Sequence, residues 1–328
     1  MADSVMTQGE RPAPPPALRA AWPALAMFAV LALVPVLAPA LGLGSYALTV
    51  ASRIMIFAIA AVSLDLILGY GGLVSFGHAA FIGLGAYAVG ILADAGVGEG
   101  LVLLPAAMLA AALFALLTGA VSLKTRGVHY IMITLAFGQM AYFTMTSLSA
   151  YGGDDGMTLW ARPLVAGFKW LNGRSAFHYV VLVLLIAAWA LCLAVTRSRF
   201  GRVLRGCREN EERMRALGYD PFAYRLAATV IAGAIAGLAG ALLAIQADFV
   251  SPAYMSWQRS GELIVMVVLG GIGSLHGAIL GAAAFLLAEE LLSGVTEHWR
   301  LIFGPLLILV VLFLRGGLGG LLSKVRHD

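Results

Sequence analysis

Charged residues are scarce in this 328-residue chain: 12% of its residues are Asp, Glu, Lys or Arg, whereas 61% are hydrophobic. Apolar stretches of about 20 residues, the length needed to cross about 30 Å of hydrocarbon, recur along the sequence. The polar segments between them are too short to form the core of a soluble domain. This pattern excludes a soluble globular protein and predicts an all-α, polytopic helical membrane protein.

The chain also lacks the features of an enzyme or a cofactor protein. Its two cysteines, Cys192 in a predicted span and Cys207 in a polar segment, are not expected to form a disulfide. It has no G-x-x-x-x-G-K-[ST] motif to bind ATP, and its histidines show no spacing that suits a haem-binding bundle. Ser75 and His78 lie on one segment without the oriented partner that an intramembrane serine protease needs. We therefore predict no catalytic residue, no metal and no cofactor, and the net charge of +4 gives no reason to expect nucleic acid.

One polar segment interrupts the apolar chain, because residues 197–221 hold seven arginines and three glutamates. Gly218 can take the left-handed conformation that ends a helix, and Asp220 followed by Pro221 is suited to begin the next one. Arginine-rich loops favour the cytoplasmic side. The segment therefore predicts a short cytoplasmic helix over residues 200–218, between two spans. Five positions spaced by four and three residues share one face of that helix: Val203, Cys207, Asn210, Met214 and Leu217.

Two interpretations of this polar helix are open. It is either a positively charged loop that rests on lipid headgroups or a surface on which another protein docks. Anionic lipid would repel the clustered glutamates Glu209, Glu211 and Glu212. We therefore prefer the docking surface.

The arrangement of polar turns predicts about ten embedded segments with both termini cytoplasmic. Residues 1–20, which are rich in proline, are expected to form a disordered cytoplasmic tail, residues 21–320 the transmembrane domain, and residues 321–328 a second cytoplasmic tail. The apolar stretch from Glu262 to Leu292 is too long for one span, because a continuous helix would measure roughly 45 Å. We expect it to break at Gly270, Gly271 and Gly273.

Polar residues inside spans are candidates for a transport path, because ionisable groups in hydrocarbon are costly. We select Ser75, His78, Gln139 and Glu262, and note Asp65 as a further intramembrane carboxylate. The region around Ser75 and His78 is dense in glycine and includes Gly69, Gly72 and Gly77. Close helix packing or local unwinding accounts for most of these glycines.

Several separated motifs together carry a family resemblance. They are Gly69-Tyr70 with Ser75-Phe76-Gly77-His78-Ala79-Ala80-Phe81; Thr134-Leu135-Ala136-Phe137; Arg208-Glu209-Asn210-Glu211 leading to Gly218; Gly237-Leu238-Ala239-Gly240-Ala241; and Glu262 leading to Leu269-Gly270-Gly271-Ile272-Gly273. In this order and spacing, over roughly residues 46–320, the chain resembles the LivM-type permease subunits of branched-chain amino-acid ABC importers, which are related to the LivH type.

The resemblance implies a type II ABC importer-like permease in the bacterial inner membrane. Its expected partners are a second, LivH-like permease, two cytoplasmic ATP-binding subunits and a periplasmic substrate-binding protein, with membrane lipid around the spans. The polar helix would then be the coupling helix, which transmits the ATPase movement. The residues at the family's ATPase-docking positions would be Arg208, Glu209, Asn210, Glu211 and Gly218.

The chain departs from the family pattern at a few positions, which leaves the substrate open. Arg213 and Met214 stand where small alanines are usual, Asp65 stands where asparagine is common, and His276 with Ala278 replaces a bulky residue and a proline. Beside branched-chain amino acids, urea or short amides and small aromatic carboxylates are alternative substrates. A stand-alone secondary transporter is the alternative from a different functional class.

Overall fold

A computed structural model describes residues 22–40, 44–159, 173–294, 298, 301, 303–305 and 317–319. The described residues form eleven α-helices, and they confirm the prediction of an all-α membrane protein. In chain order the helices are α1 (Trp22–Ala40), α2 (Gly44–Asp65), α3 (His78–Asp94), α4 (Gly100–Ser122), α5 (Val128–Ser147), α6 (Arg174–Arg197), α7 (Arg199–Glu209), α8 (Glu211–Ala216), α9 (Pro221–Ala247), α10 (Trp257–Gly270) and α11 (Leu275–Ser293).

Short elements connect several of these helices. A π-helical turn, Leu66–Tyr70, extends α2, and two 3₁₀ turns cover Ser149–Tyr151 and Pro252–Met255. Two strands of two residues each, β1 (Met157–Thr158) and β2 (Phe249–Val250), pair antiparallel with Met157 opposite Val250. The predicted tails, residues 1–20 and 321–328, lie outside the described residues.

Five helical segments of the described part of the chain are long and apolar enough to span a membrane, in agreement with the repeated apolar stretches of the sequence. They are Tyr46–Tyr70, Gly100–Ser122, Arg174–Arg197, Pro221–Ala247 and Leu275–Ser293. Two shorter apolar helices, Ala26–Leu37 and His78–Asp94, lie beside them. The protein is therefore a multi-pass membrane protein.

The centre of the bundle is formed by α2 and α9, which are mostly buried, whereas α4 turns most of its surface outward. Small residues bring α9 close to α4: a Cβ atom on Gly233 or Gly237 would lie 2.5 Å from the Cβ of Ala115 or Ala111. Such contacts let helix backbones approach in a membrane. Gly233 and Gly237 therefore serve the close packing of these two helices.

The long apolar stretch after Glu262 is broken, as the glycine series predicted. Helix α10 ends at Gly270 and α11 begins at Leu275. Gly271 and Gly273 have φ angles of 107° and 82°, which side-chain-bearing residues rarely adopt. The Ser274 hydroxyl then accepts a hydrogen bond from the Gly277 N–H at 3.2 Å and caps α11. The break turns the chain back, so that α10 and α11 pack against each other.

The bundle has two chemically different ends. We call the end that contains α7, α8 and the start of α9 the arginine-rich end, and the break after Gly270 lies beside it. At the opposite end the Tyr46 hydroxyl donates to Glu290, and Arg53 pairs with Glu289, which brings the start of α2 to the end of α11.

The predicted helix over residues 200–218 is in fact two helices, and this corrects the single helical face inferred from the sequence. The chain leaves helical geometry at Asn210, whose φ and ψ are −154° and 103°. Val203, Cys207 and Met214 still share one buried cluster, but Leu217 is 65% exposed. The predicted end and restart are confirmed: Gly218 has a φ of 86°, and the Asp220 carboxylate accepts from the Phe222 N–H at 3.0 Å.

Candidate functional site

The central feature of the arginine-rich end is one carboxylate bound by three arginines. Glu211 accepts from Arg215 on its own helix at 2.6 Å, from Arg225 on α9 at 2.9 Å and from Arg126, after α4, at 3.1 Å. The side chains of Glu211 and Arg225 are only 13% and 15% exposed, so solvent screens this pair weakly, whereas Arg126 and Arg215 are more than half exposed. Glu211 therefore joins α8 to α9 and to the α4–α5 connection.

Arg225 also ties α7 to this network. Its second amino group donates to the Cys207 carbonyl at 2.9 Å, so one side chain of α9 contacts both α7 and α8. Cys207 packs with Val203 and Met214, and Tyr224 lies against them. Burial raises the pKa of the Cys207 thiol above its ordinary value of 9.0, against a smaller lowering by Arg225.

Asn210 produces the break between α7 and α8. Its side-chain oxygen accepts from the Arg213 N–H at 2.9 Å, and Glu211 and Glu212 follow in the first turn of α8. This is an N-cap followed by acidic residues, which suits the positive end of the helix dipole. With the break, residues of both short helices, Val203 and Cys207 on α7 and Met214 on α8, pack in the same buried cluster.

Exposed residues lie along α7, α8 and the turn that follows α8, and we call this surface the outer rim. Apolar and charged groups alternate on it, and the apolar ones are unusually open: Leu217 is 65% exposed and Tyr219 41%. The rim consists of the exposed residues Arg202, Glu209, Arg213, Leu217, Gly218 and Tyr219. Of the predicted docking residues, Glu209 and Gly218 lie on this rim, Arg208 and Asn210 are exposed beside it, and Glu211 turns inward.

Arg208 connects the arginine-rich end to the membrane-embedded part of the chain. Its guanidinium donates to the Gly69 carbonyl, at the end of the π-helical turn that follows α2. One turn earlier on α2, the buried Asp65 carboxylate accepts from the Gly273 N–H at 2.7 Å. A continuous series of contacts thus runs from α7, through the end of α2, to the break between α10 and α11.

The glycines of this region allow the close approach. A Cβ atom on Gly69 would lie 2.3 Å from Asp65 Oδ1 and 2.5 Å from the Gly273 nitrogen. A Cβ on Gly270 would lie 2.0 Å from the Gly277 carbonyl oxygen. Gly72, with a φ of 69°, lies against the Arg208 side chain. These positions therefore require glycine for steric reasons.

The four predicted path residues lie in different local environments. His78 is fully buried, and its Nε2 lies 2.8 Å from the Ser63 hydroxyl. Ser75 is buried beside a gap of only about 10 Å³, which is about the size of one water molecule. Gln139 is half-buried on α5, and Glu262 pairs with Arg259 at 2.6 Å at the opposite end of the bundle.

Sequence reasoning missed the arginines that bind Glu211. Neither Arg126 nor Arg225 is part of a motif, although Arg225 lies in the first turns of a span. A charge so close to an apolar stretch is a signal that a partner exists. Among the described residues, no group of three or more His, Cys, Asp or Glu side chains could hold a metal ion.

The family model described as "Branched-chain amino acid transport system / permease component" matches residues 46–312. The chain belongs to this family. The match includes α3 to α11 and nearly all of α2, so it covers both ends of the bundle. It confirms the resemblance inferred from the sequence motifs.

Relatives within the permease family align over most of the chain. The permease protein LivM of Salmonella typhimurium is 29% identical over 293 residues, which cover 82% of this chain and 69% of the relative. LivH of Escherichia coli is 27% identical over 285 residues, covering 80% and 91%. The probable permease LivM of Methanocaldococcus jannaschii is 25% identical over 313 residues, covering 80% and 90%. No solved structure matches the chain.

Proposed function

We propose that this chain is the transmembrane permease subunit of an ATP-driven importer that moves branched-chain amino acids across the bacterial inner membrane by alternating access. Family membership supports the permease role, and the names of the relatives LivM and LivH support the substrate class. In this proposal the chain crosses the membrane in about ten embedded segments and has both termini in the cytoplasm.

The observation that carries the proposal is the outer rim and its support. An exposed surface that transmits force needs rigid attachment to the spans, and Glu211 with Arg225 attaches α8 to α9 by short ion pairs. Arg208 attaches α7 to the end of α2. A partner that pushes on the rim would therefore move the two central helices of the bundle together.

The proposed partners are those that the family resemblance implies. Two cytoplasmic ATP-binding subunits would supply the energy, one of them docking on the outer rim with Glu209 and Gly218. A second, LivH-like permease would complete the transmembrane path, and a periplasmic binding protein would deliver the substrate. Glu211 supports the docking helices from within, whereas the exposed Arg208 and Asn210 lie beside the rim, where the ATPase would also contact them.

The predicted path residues have different places in the proposal. Glu262 lies near the opposite end, where substrate would enter. Ser75, His78 and Gln139 lie deeper, and Ser75 and His78 would border the path only when the surrounding helices separate. Alternating access requires such a separation, because each state closes the path on one side.

Uptake by reconstituted liposomes tests the proposal. The chain, its co-expressed permease and the ATP-binding subunits would be reconstituted with the binding protein, and radiolabelled leucine uptake measured with and without ATP. We expect ATP-dependent uptake that isoleucine and valine inhibit and that urea and benzoate leave unchanged. Equal uptake by the purified chain alone, without ATP, would overturn the importer in favour of a stand-alone transporter.

A further inference from the structure

The opposite end of the bundle contains a cavity of about 270 Å³ that the functional assignment leaves unexplained. It lies between α2, α3, α9 and α10, beside the 3₁₀ turn that precedes α10. Its volume falls just below the roughly 300–1,000 Å³ of pockets for drug-sized ligands. The cavity is therefore suited to a small solute.

Two arginines of this cavity face the same aromatic ring. The Cζ atoms of Arg53 on α2 and Arg259 on α10 lie 5.9 Å and 6.0 Å from the ring centroid of Phe57. Their side chains are 35% and 32% exposed, so a solute can reach them. Two guanidiniums close to one apolar ring form a favourable site for an anionic group.

Each arginine is oriented by a glutamate but retains further donors. Arg259 donates to Glu262 at 2.6 Å, and Arg53 lies 3.6 Å from Glu289, a distance beyond a normal hydrogen bond. A guanidinium has five N–H donors, so a single carboxylate oxygen occupies only part of each group. The remaining donors can bind a second carboxylate.

The rest of the cavity complements an apolar, zwitterionic solute. Phe57, Ile82, Leu243 and Leu263 form an apolar wall. Gln246 donates its side-chain N–H to the Thr49 carbonyl at 2.7 Å, which leaves its amide oxygen as an acceptor for an ammonium group. Donors, an acceptor and an apolar surface thus meet in one small space.

We propose that this cavity is an entry site that binds the α-carboxylate of a small apolar amino acid through Arg53 and Arg259, with the amino acid's side chain against Phe57, Ile82, Leu243 and Leu263. The inference rests on the proposed import function and specifies where substrate first binds. Urea has no carboxylate to accept from the remaining donors of the two guanidiniums. An aromatic carboxylate has no ammonium group for the amide oxygen of Gln246.

The test compares leucine with leucinol, which has the same side chain and amino group but lacks the carboxylate. Radiolabelled leucine uptake would be measured in the reconstituted complex for Arg53→Gln and Arg259→Gln. We expect each variant to raise the KM for leucine at least about tenfold, because a charge-assisted hydrogen bond is lost. The wild-type preference for leucine over leucinol as a competitor should fall by a similar factor.

Arg174→Gln is the matched control, because Arg174 is exposed and lines a neighbouring cavity of about 230 Å³ at the same end. It removes the same charge and should leave the KM for leucine within about twofold. Leu243→Phe provides a second test that does not depend on charge. By filling the apolar wall, it should raise the KM for leucine while leaving that for alanine nearly unchanged.

The results distinguish a failure of the entry site from a failure of the import function on which it rests. Wild-type complex that shows no ATP-dependent leucine uptake would refute the import function, and the entry site with it. Normal wild-type uptake with an unchanged KM and an unchanged preference over leucinol in both arginine variants would refute the entry site alone. A purified variant complex with wild-type ATP hydrolysis establishes that the subunits are folded, so its KM is decisive.

Discussion

The two ends of the bundle use the same residue types in opposite ways. At the arginine-rich end, three arginines converge on the single carboxylate of Glu211 at 2.6–3.1 Å. At the opposite end, Arg53 and Arg259 each have a separate glutamate, and their side chains are about one third exposed. The first arrangement consumes donors to hold helices together, whereas the second leaves donors available to a solute. The presence of an arginine therefore does not tell whether it holds helices together or binds a solute. The number of its donors that protein groups already occupy does.

The largest expected effect comes from removing the shared carboxylate. Glu211→Gln leaves Arg126, Arg215 and Arg225 close together without their anion, and we expect it to cost about 2 kcal/mol or more of stability. Glu289→Gln, at the opposite end, should cost less than about 1 kcal/mol because Glu289 has a single, longer pair with Arg53, at 3.6 Å. Thermal unfolding of the purified variants in one detergent measures both. Equal losses of Tm would contradict the distinction between the two ends.

A second prediction concerns the contact between Gly69 and Gly273. Gly69→Ala should destabilise the protein by about 1–3 kcal/mol, because the new methyl group would overlap Asp65 and the Gly273 backbone. Gly98→Ala is the control, since a Cβ atom there meets nothing within 4 Å. Leucine uptake and thermal stability would be measured together. Wild-type values for Gly69→Ala would show that the end of α2 and the α10–α11 break are not in contact.

The arginine-rich end was only partly predictable from the sequence. The polar segment, its end at Gly218 and the restart at Asp220-Pro221 follow from local rules. The break at Asn210 also had a local signal, an N-cap residue followed by two glutamates, but the regular spacing of apolar positions outweighed it. The ion pair between Arg126 and Glu211 joins residues 85 positions apart, and only the packing of α4 against α9 brings them together.

The opposite end was less predictable still. The break at Gly270–Gly273 followed from span length and glycine content. The cavity, in contrast, combines residues from position 49 to position 263, and no local pattern relates them. Arg53 and Glu262 were visible as charges near spans, but their shared location depends on how α2 packs against α10.

A smaller effect is expected at Asp65, whose carboxylate accepts the hydrogen bond from the Gly273 N–H. Asp65→Asn keeps an oxygen that can accept from the Gly273 N–H, so it should change stability by less than about 1 kcal/mol. Asp65→Ala removes the acceptor and leaves the half-buried Gly273 N–H without this partner, which should cost about 1–3 kcal/mol. Comparing the Tm of the two variants isolates the hydrogen bond. Equal effects would mean that side-chain volume, rather than this bond, matters at Asp65.

The smallest expected effect is the contribution of Cys207 to the pH dependence of stability. Because burial raises its pKa above 9.0, the folded chain holds this proton more tightly than the unfolded chain does. The resulting contribution to stability is present below pH 9.0 and is lost as the pH rises through the folded pKa. Two chains that both carry Cys192→Ala are compared. Maleimide should label Cys207 in the first much more slowly than it labels the new cysteine of the second, which also carries Arg202→Cys and Cys207→Ala. Equal rates would show that the inner face of α7 is open to solvent.

The most direct test of the whole account is the subunit composition of the complex purified in mild detergent through a tag on this chain. The wild-type chain should co-purify with a second permease and two ATP-binding subunits, and the preparation should hydrolyse ATP. Glu209→Arg, which reverses a charge on the outer rim, should retain the second permease and lose the ATP-binding subunits. A wild-type chain that purifies alone, under conditions that preserve a known four-subunit importer, would contradict the account.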